Sequence, residues 1–296
     1  ISLEQFELPT NELLPEEGPE HFPFELDFDK LDKICSNTHS EKLRAEHVVP
    51  SQGEIYGYGS EGLIWQFHNR MLCVKVVLWI IAGIIIKKES QYVDFKDVKE
   101  EIEMAIENFT EAVDSIGIDC KTGFPANVKS ARELPRMKKY KHRSKKLREE
   151  KINLIVRTSR DRFVDQYFGR TLRNVAGDER PRLAGACFEM GLLAATMDKQ
   201  ITLTKKGLKF VKMQNTILEL LEYDDPIVDE ITRERIESLS EQEVDFIIDE
   251  IISQPKFGLE KILIKKLLGS SENLMVERIV LILGKEQFKY MKKALG

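Results

Sequence analysis

The residues with the clearest chemical potential are the cations of "MKKYKHRSKKLREE", residues 137–150. Lys138, Lys139, Lys141, Arg143, Lys145, Lys146 and Arg148 follow one another with Tyr140 and His142 between them and no acid until Glu149. Such a run reads either as a solvated charged face or as a phosphate clamp, in which lysines neutralise backbone oxygens and Tyr140 stacks on a base or sugar. Its density without compensating acids favours the clamp. The charge is also segregated along the chain. Residues 132–183 hold 17 Lys plus Arg against 7 Asp plus Glu, an excess of +10 in a protein whose formal net charge is −5. A local cation excess in an acidic chain points to a polyanionic partner.

Catalytic and metal chemistry find little to build on. His21, His39, His47, His68 and His142 show no ligand spacing, so neither a metal nor another cofactor is expected. No GxxxxGK[ST] or GxGxxG phosphate loop occurs, and "GYGSEG" at Gly57–Gly62 lacks the lysine and the preceding strand. The carboxylate–lysine groups in "DFDKLDK" and "VDFKDVKEE" have the spacing of ordinary charged helices. Trp65 and His68 read as core or core-edge residues. The chain is therefore expected not to be an enzyme.

With 296 residues, 42% hydrophobic and 32% charged, the chain has the balance of a soluble globular protein rather than a disordered or fibrous one. Cys35, Cys73, Cys120 and Cys187 are scattered without a CxxC pair, which fits reduced core thiols and a cytoplasmic location. No signal peptide is evident at the start of the sequence. The apolar run Val76–Ile86 covers only eleven residues, short of the roughly 20 that span a bilayer. It reads as a buried core helix, and no membrane association is expected.

Five regions are expected to position these groups. Residues 1–60 form an acidic arm rich in Pro and Gly, with no regular element before about Asp27. Residues 61–120 form a helical domain. Its second helix is capped by Asp94, carries Val98, Ile102, Ile106, Phe109 and Val113 on one face, and stops at Gly117. Residues 121–151 form a loop and basic linker. Residues 152–223 begin with a strand, "INLIVRT", followed by a helix capped by Ser159 and a second helix capped by Asp178, with Leu183, Ala186, Cys187 and Met190 buried and Arg182 and Glu189 exposed. A hairpin at 193–204 then turns at Asp198–Gln200. Residues 224–296 form a C-terminal helical region that includes the capping box Ser240-x-x-Glu243.

Within 152–223, "RLAGACFEMGLL" followed by "ITLTKKGLKFV" resembles the winged helix-turn-helix domain, where the recognition helix ends and the wing returns into a helix. The resemblance covers about 70 residues and implies duplex DNA binding with one helix in the major groove. It implies that Arg180 and Arg182 lie on the reading face beside Gly185 and Glu189, that Lys199 sits on the wing, and that Arg160, Arg162, Arg170 and Arg173 lie near phosphates. The expected protein is thus mainly α, a regulatory or architectural DNA-binding protein. A two-fold dimer through Val244–Ile252 and Met275–Leu283 follows by analogy. Two alternatives are a winged-helix adaptor in a larger assembly, docking through the acidic arm, and a nucleic-acid-processing enzyme with its site in 63–118.

Overall fold

The computed structural model describes residues 26–35, 71–116, 123–172, 182–196, 198–221 and 239–252. In chain order these form α1 (Phe28–Cys35), α2 (Met71–Lys88), β1 (Val93–Asp94), α3 (Phe95–Ile116), α4 (Val128–Glu133), a 3-10 turn (Pro135–Tyr140) and α5 (Lys145–Tyr167). They continue with β2 (Arg170–Leu172), β3 (Arg182–Ala184), α6 (Ala186–Glu189), β4 (Leu193–Ala195), β5 (Gln200–Leu203), α7 (Lys205–Val211), α8 (Thr216–Leu221) and α9 (Glu241–Phe246), which runs on into a π-helical turn, Ile247–Ile252. The protein is mainly helical, with two small antiparallel sheets. Among the described residues no helix is long and apolar enough to cross a membrane.

Helix α2 is buried from Met71 through Ile85. A helix apolar on every face has no side to turn to water, so it becomes the axis about which others pack; α1, α3 and α7 all lie against it. Helix α3 follows its sequence pattern closely. Asp94 Oδ1 accepts the amides of Lys96 (2.8 Å) and Asp97 (3.2 Å), and Val98, Ile102, Ile106, Phe109 and Val113 are buried. Its expected stop at Gly117 lies outside the described residues, as do the arm before residue 26, Trp65, His68, Cys120, Asp178 and Met275–Leu283.

The hairpin forms as expected. Leu193 pairs with Leu203 and Ala195 with Ile201, and the chain reverses where the Thr196 amide donates to Gln200 O (2.8 Å) and the Lys199 amide to Thr196 O (3.1 Å). Thr204 caps the following helix, its hydroxyl accepting the Gly207 amide at 3.0 Å. What the pattern did not reveal is the third strand. Val93 and Asp94 pair with Ile201 and Gln200, giving the sheet order β1-β5-β4 and joining the two ends of the chain's middle. Two residues are too few to show an alternation.

Four expectations are corrected. "INLIVRT" is not a strand but the middle of α5, which Ser144 caps through the Leu147 amide (3.3 Å). Ile152, Ile155 and Val156 fall at helical spacing and bury or half-bury one face there, and this outweighs the β preference of the branched residues. Ser159, expected as a cap, sits inside that helix and accepts the Ala126 amide at 2.8 Å. The second helix of the expected pair does not form, because Arg182–Ala184 is β3, paired with β2, and only the single turn α6 follows. Gly185 explains the break: a Cβ there would stand 2.4 Å from Phe168 O and 2.6 Å from Gly169 Cα, so two backbones cross in contact where a helix would need separation. Leu183, Ala186, Cys187 and Met190 are buried as expected, but Glu189, expected exposed, is buried too.

The regions are also less separate than the sequence suggests. One apolar cluster runs from Leu26 to Ile251 and takes in described residues of both 71–116 and 182–221. Residues 121–151 are no mere linker, since they carry α4, the 3-10 turn and the start of α5 around a satellite cluster of Ala131, Met137 and Ile152. Cys35, Cys73 and Cys187 are buried. Burial, aided by Asp32, pushes the Cys35 thiol up to about 11, and burial alone pushes Cys187 up.

Candidate anion-binding lobe

The lobe is assembled from short, well-capped pieces. Asn127 opens α4 by accepting the Ser130 amide on its side-chain oxygen (2.8 Å), and Pro135 starts the 3-10 turn. α4 and the turn fold back on the first half of α5 through Ala131, Met137 and Ile152, with Leu134, Tyr140, Ile155 and Val156 around them. Ala131, Met137 and Ile152 are spent on this contact, and the cations of 138–148 face water. Lys138, Lys139, Lys141, Arg143, Lys145, Lys146 and Arg148 are all exposed. Lys145 approaches Glu149 at 3.8 Å on an exposed surface, a pair contributing roughly 0–1 kcal/mol, and Lys139 lies over the Tyr140 ring at 5.5 Å. Arg132, Lys138, Lys141 and Arg148 make no ion pair among the described residues.

Several cations elsewhere have carboxylate partners. On α7, Lys206 and Lys209 reach Glu250 (3.5 and 3.6 Å) and Lys212 reaches Asp32. Lys205, Lys209 and Lys212 edge a cavity of about 770 Å³ against α1, with Asp32 in the same lining. Between α3 and α5, Lys99 pairs with Asp165 at 2.7 Å and Arg160 with Glu107. Glu103 next to them is raised above the usual carboxylate range, chiefly by burial; Asp161 and Asp165 add to the shift, and Lys99 and Arg160 oppose it.

Of the residues assigned through the winged-helix resemblance, Lys199 lies away from the lobe. The Lys199 carbonyl accepts the Phe95 amide at 3.0 Å, and the Phe95 ring stacks on Phe168 at 4.8 Å, just past the C-terminal end of α5. The lobe sits at the opposite end of that 23-residue helix, about 30 Å away at ~1.5 Å per residue. Arg160 is engaged by Glu107, Arg162 is exposed and Arg170 half-buried on β2. Arg182 belongs to strand β3 rather than to a helix, and Arg173 and Arg180 lie outside the described residues. The expected reading helix is a further correction. Ala186, Cys187, Phe188 and Glu189 of α6 are all buried, so this turn offers no face to a DNA groove.

Sequence reading missed a polar cluster in the core. Lys75 lies in the apolar helix α2 with no exposure, and its ammonium forms an ion pair with Glu243 Oε1 at 2.8 Å, also fully buried. The same ammonium donates to the carbonyls of Phe210 and Met213 (2.8 Å to the latter), closing the C-terminal end of α7. Glu243 Oε2 accepts from Asn215 Nδ2 (2.8 Å) and from the Ser240 amide (2.9 Å), completing the capping box. Asn215 Oδ1 in turn accepts the Ile217 and Leu218 amides at the start of α8. Burial holds the Lys75 ammonium below the usual lysine range, and Glu243 opposes that shift. A lone lysine in "LCVKVV" was the available signal, since a charge inside an apolar helix requires a partner.

The C-terminal stripe nominated for a dimer interface is likewise used within the chain. Val244, Ile247 and Ile251 are buried in the protein's own core. Among the described residues, no group of three or more His, Cys, Asp or Glu could hold a metal ion. Compared with known proteins, the chain matches no family model, no curated protein and no solved structure.

Proposed function

We propose that the protein binds nucleic acid, duplex DNA in the first place, by neutralising backbone phosphates with the basic lobe of residues 128–148. The observation that carries this reading is the contrast in pairing. Lys206 and Lys209 on α7, and Lys99 and Arg160 between α3 and α5, have carboxylate partners, whereas the cations of the lobe stand exposed on a braced helix pair, nearly all without one. A fixed array of uncompensated lysines and arginines releases counterions from a phosphate backbone and binds it without reading sequence. The hairpin, the added strand β1 and the Thr204-capped helix support a winged-helix kinship for the scaffold. With α6 buried, contact through phosphates suits an architectural role better than a sequence-reading one.

Titration of random duplexes at two salt concentrations tests the proposal. Replacing Lys138, Lys139, Lys145 and Lys146 together by Ala weakens binding to unrelated duplexes equally and lowers the slope of log K against log salt by roughly 0.9 per lost phosphate contact. All four are exposed, so thermal stability stays within about 0.5 kcal/mol of the parent. Parent-like isotherms at every salt concentration would sink the proposal.

A further inference from the structure

The lobe is concave as well as basic. Arg132, Lys138, Lys141, Lys145 and Arg148 line a single pocket of about 500 Å³ between the 3-10 turn and the first turns of α5. That volume lies within the range of small-ligand sites, roughly 300–1,000 Å³, and suits one nucleotide rather than the convex edge of a duplex. Only two carboxylates, Glu133 and Glu149, share the lining, which leaves three positive charges in excess. Lys145 is the first residue of a 23-residue helix, so the positive end of that helix dipole adds to the field. The floor is different in kind. Leu134, Met137 and Ile152 supply apolar surface continuous with the satellite cluster.

An inorganic anion would satisfy the cations and leave the floor wet, and an apolar ring alone would leave the cations unused. A phosphomonoester carried on a flat ring system answers both. A terminal phosphate bears about −1.5 to −2 charges near pH 7, against one for an internal diester, and three surplus cations select the former.

We propose that this pocket binds a nucleoside 5′-phosphate, presented as the terminal nucleotide of a nucleic-acid strand, with the phosphate among Lys141, Lys145 and Arg148 and the base over Met137 and Ile152. The choice of a strand end as the source rests on the nucleic-acid reading above. A free nucleotide has the same chemistry, and the two sources separate by experiment.

The full chain is titrated with a hairpin-closed duplex carrying one free end, either 5′-phosphorylated or 5′-hydroxyl, while the methyl resonances of Met137 and Ile152 are followed on addition of adenosine monophosphate. The phosphorylated end binds roughly tenfold tighter, the increment of one charge-assisted contact. The K141A/R148A variant loses that ratio while melting like the parent. Equal affinity for both ends, with the two methyl signals shifted saturably by the nucleotide, keeps the pocket and overturns the strand end as its source. Equal affinity with unmoved methyl signals overturns the inference, and duplex affinity with its salt slope still judges the proposed function separately. Absence of any duplex binding alongside a saturable nucleotide shift removes that function and leaves the pocket as a nucleotide site.

Discussion

Lys75 and Lys145 both sit in the first turns of long helices, α2 and α5, yet their ammonium groups live in opposite settings. Lys75 is fully buried and held by a carboxylate, two carbonyls and the face of Phe210, whose ring centre lies 4.9 Å away. Lys145 is exposed, with one carboxylate at 3.8 Å. The difference lies in the residues around each. Apolar neighbours on every face draw α2 into the core and force its one buried charge, Lys75, to find partners there. The first turns of α5 have few apolar side chains, which reach only the satellite cluster, and their cations remain in water. A buried cation thus organises this fold, and an exposed one is available for a ligand.

The largest effect is expected where that contrast is sharpest. Lys75→Ala leaves Glu243 buried without its cation and uncaps the end of α7. Loss of one partner from such a pair costs about 3–5 kcal/mol, readable as a fall in denaturation midpoint or as failure to fold. Lys75→Met with Glu243→Gln removes both charges, keeps an amide for the Ser240 and Asn215 contacts, and recovers most of the loss. A double variant no more stable than K75A would show that the carbonyl contacts, not the ion pair, hold the cluster.

Helix α3, the hairpin, the Thr204-capped helix and the Ser240–Glu243 box were legible because each rests on local signals, a repeat or a cap within a few residues. The cations of the lobe were legible as a run, but not the pocket they line, since that depends on α4 folding back on α5. The long α5 was misread because β-branched residues at 152–158 imitate a strand when their helical spacing is overlooked. The expected recognition helix failed at Gly185, where the need for close backbone approach arises from Phe168 and Gly169, well away in sequence. Strand β1 and the Lys75–Glu243 pair depend on partners more than a hundred residues distant, and no window of sequence contains both sides.

A second, smaller test concerns how tightly the hairpin is locked to the core rather than to the lobe. A Cβ on Gly207 would meet Leu192 O at 2.1 Å, and this carbonyl already accepts the Thr204 amide at 3.0 Å. Gly207→Ala therefore pushes α7 away from β4, at about 2–3 kcal/mol. The lobe is anchored by its own cluster, so nucleic-acid affinity measured below the melting range stays at the parent value. A parallel fall in affinity would mean that the lobe and the hairpin act as one surface.

The smallest effect is expected at the tip of the hairpin. Lys199 occupies a left-handed backbone conformation, φ 59°, that a side chain adopts at some cost. Lys199→Gly relieves that cost, offset in part by the greater freedom glycine has in the unfolded chain, for a net gain of up to about 1 kcal/mol. The same change deletes the cation that the winged-helix resemblance would place on the DNA backbone. With the tip at the far end of α5 from the basic lobe, duplex affinity and its salt slope are expected to match the parent while the melting temperature rises slightly. A slope lowered by roughly 0.9 would instead place Lys199 on a phosphate. The ~30 Å between tip and lobe would then correspond to nearly one turn of B-DNA, roughly 34–36 Å, with both ends of α5 engaged on one duplex.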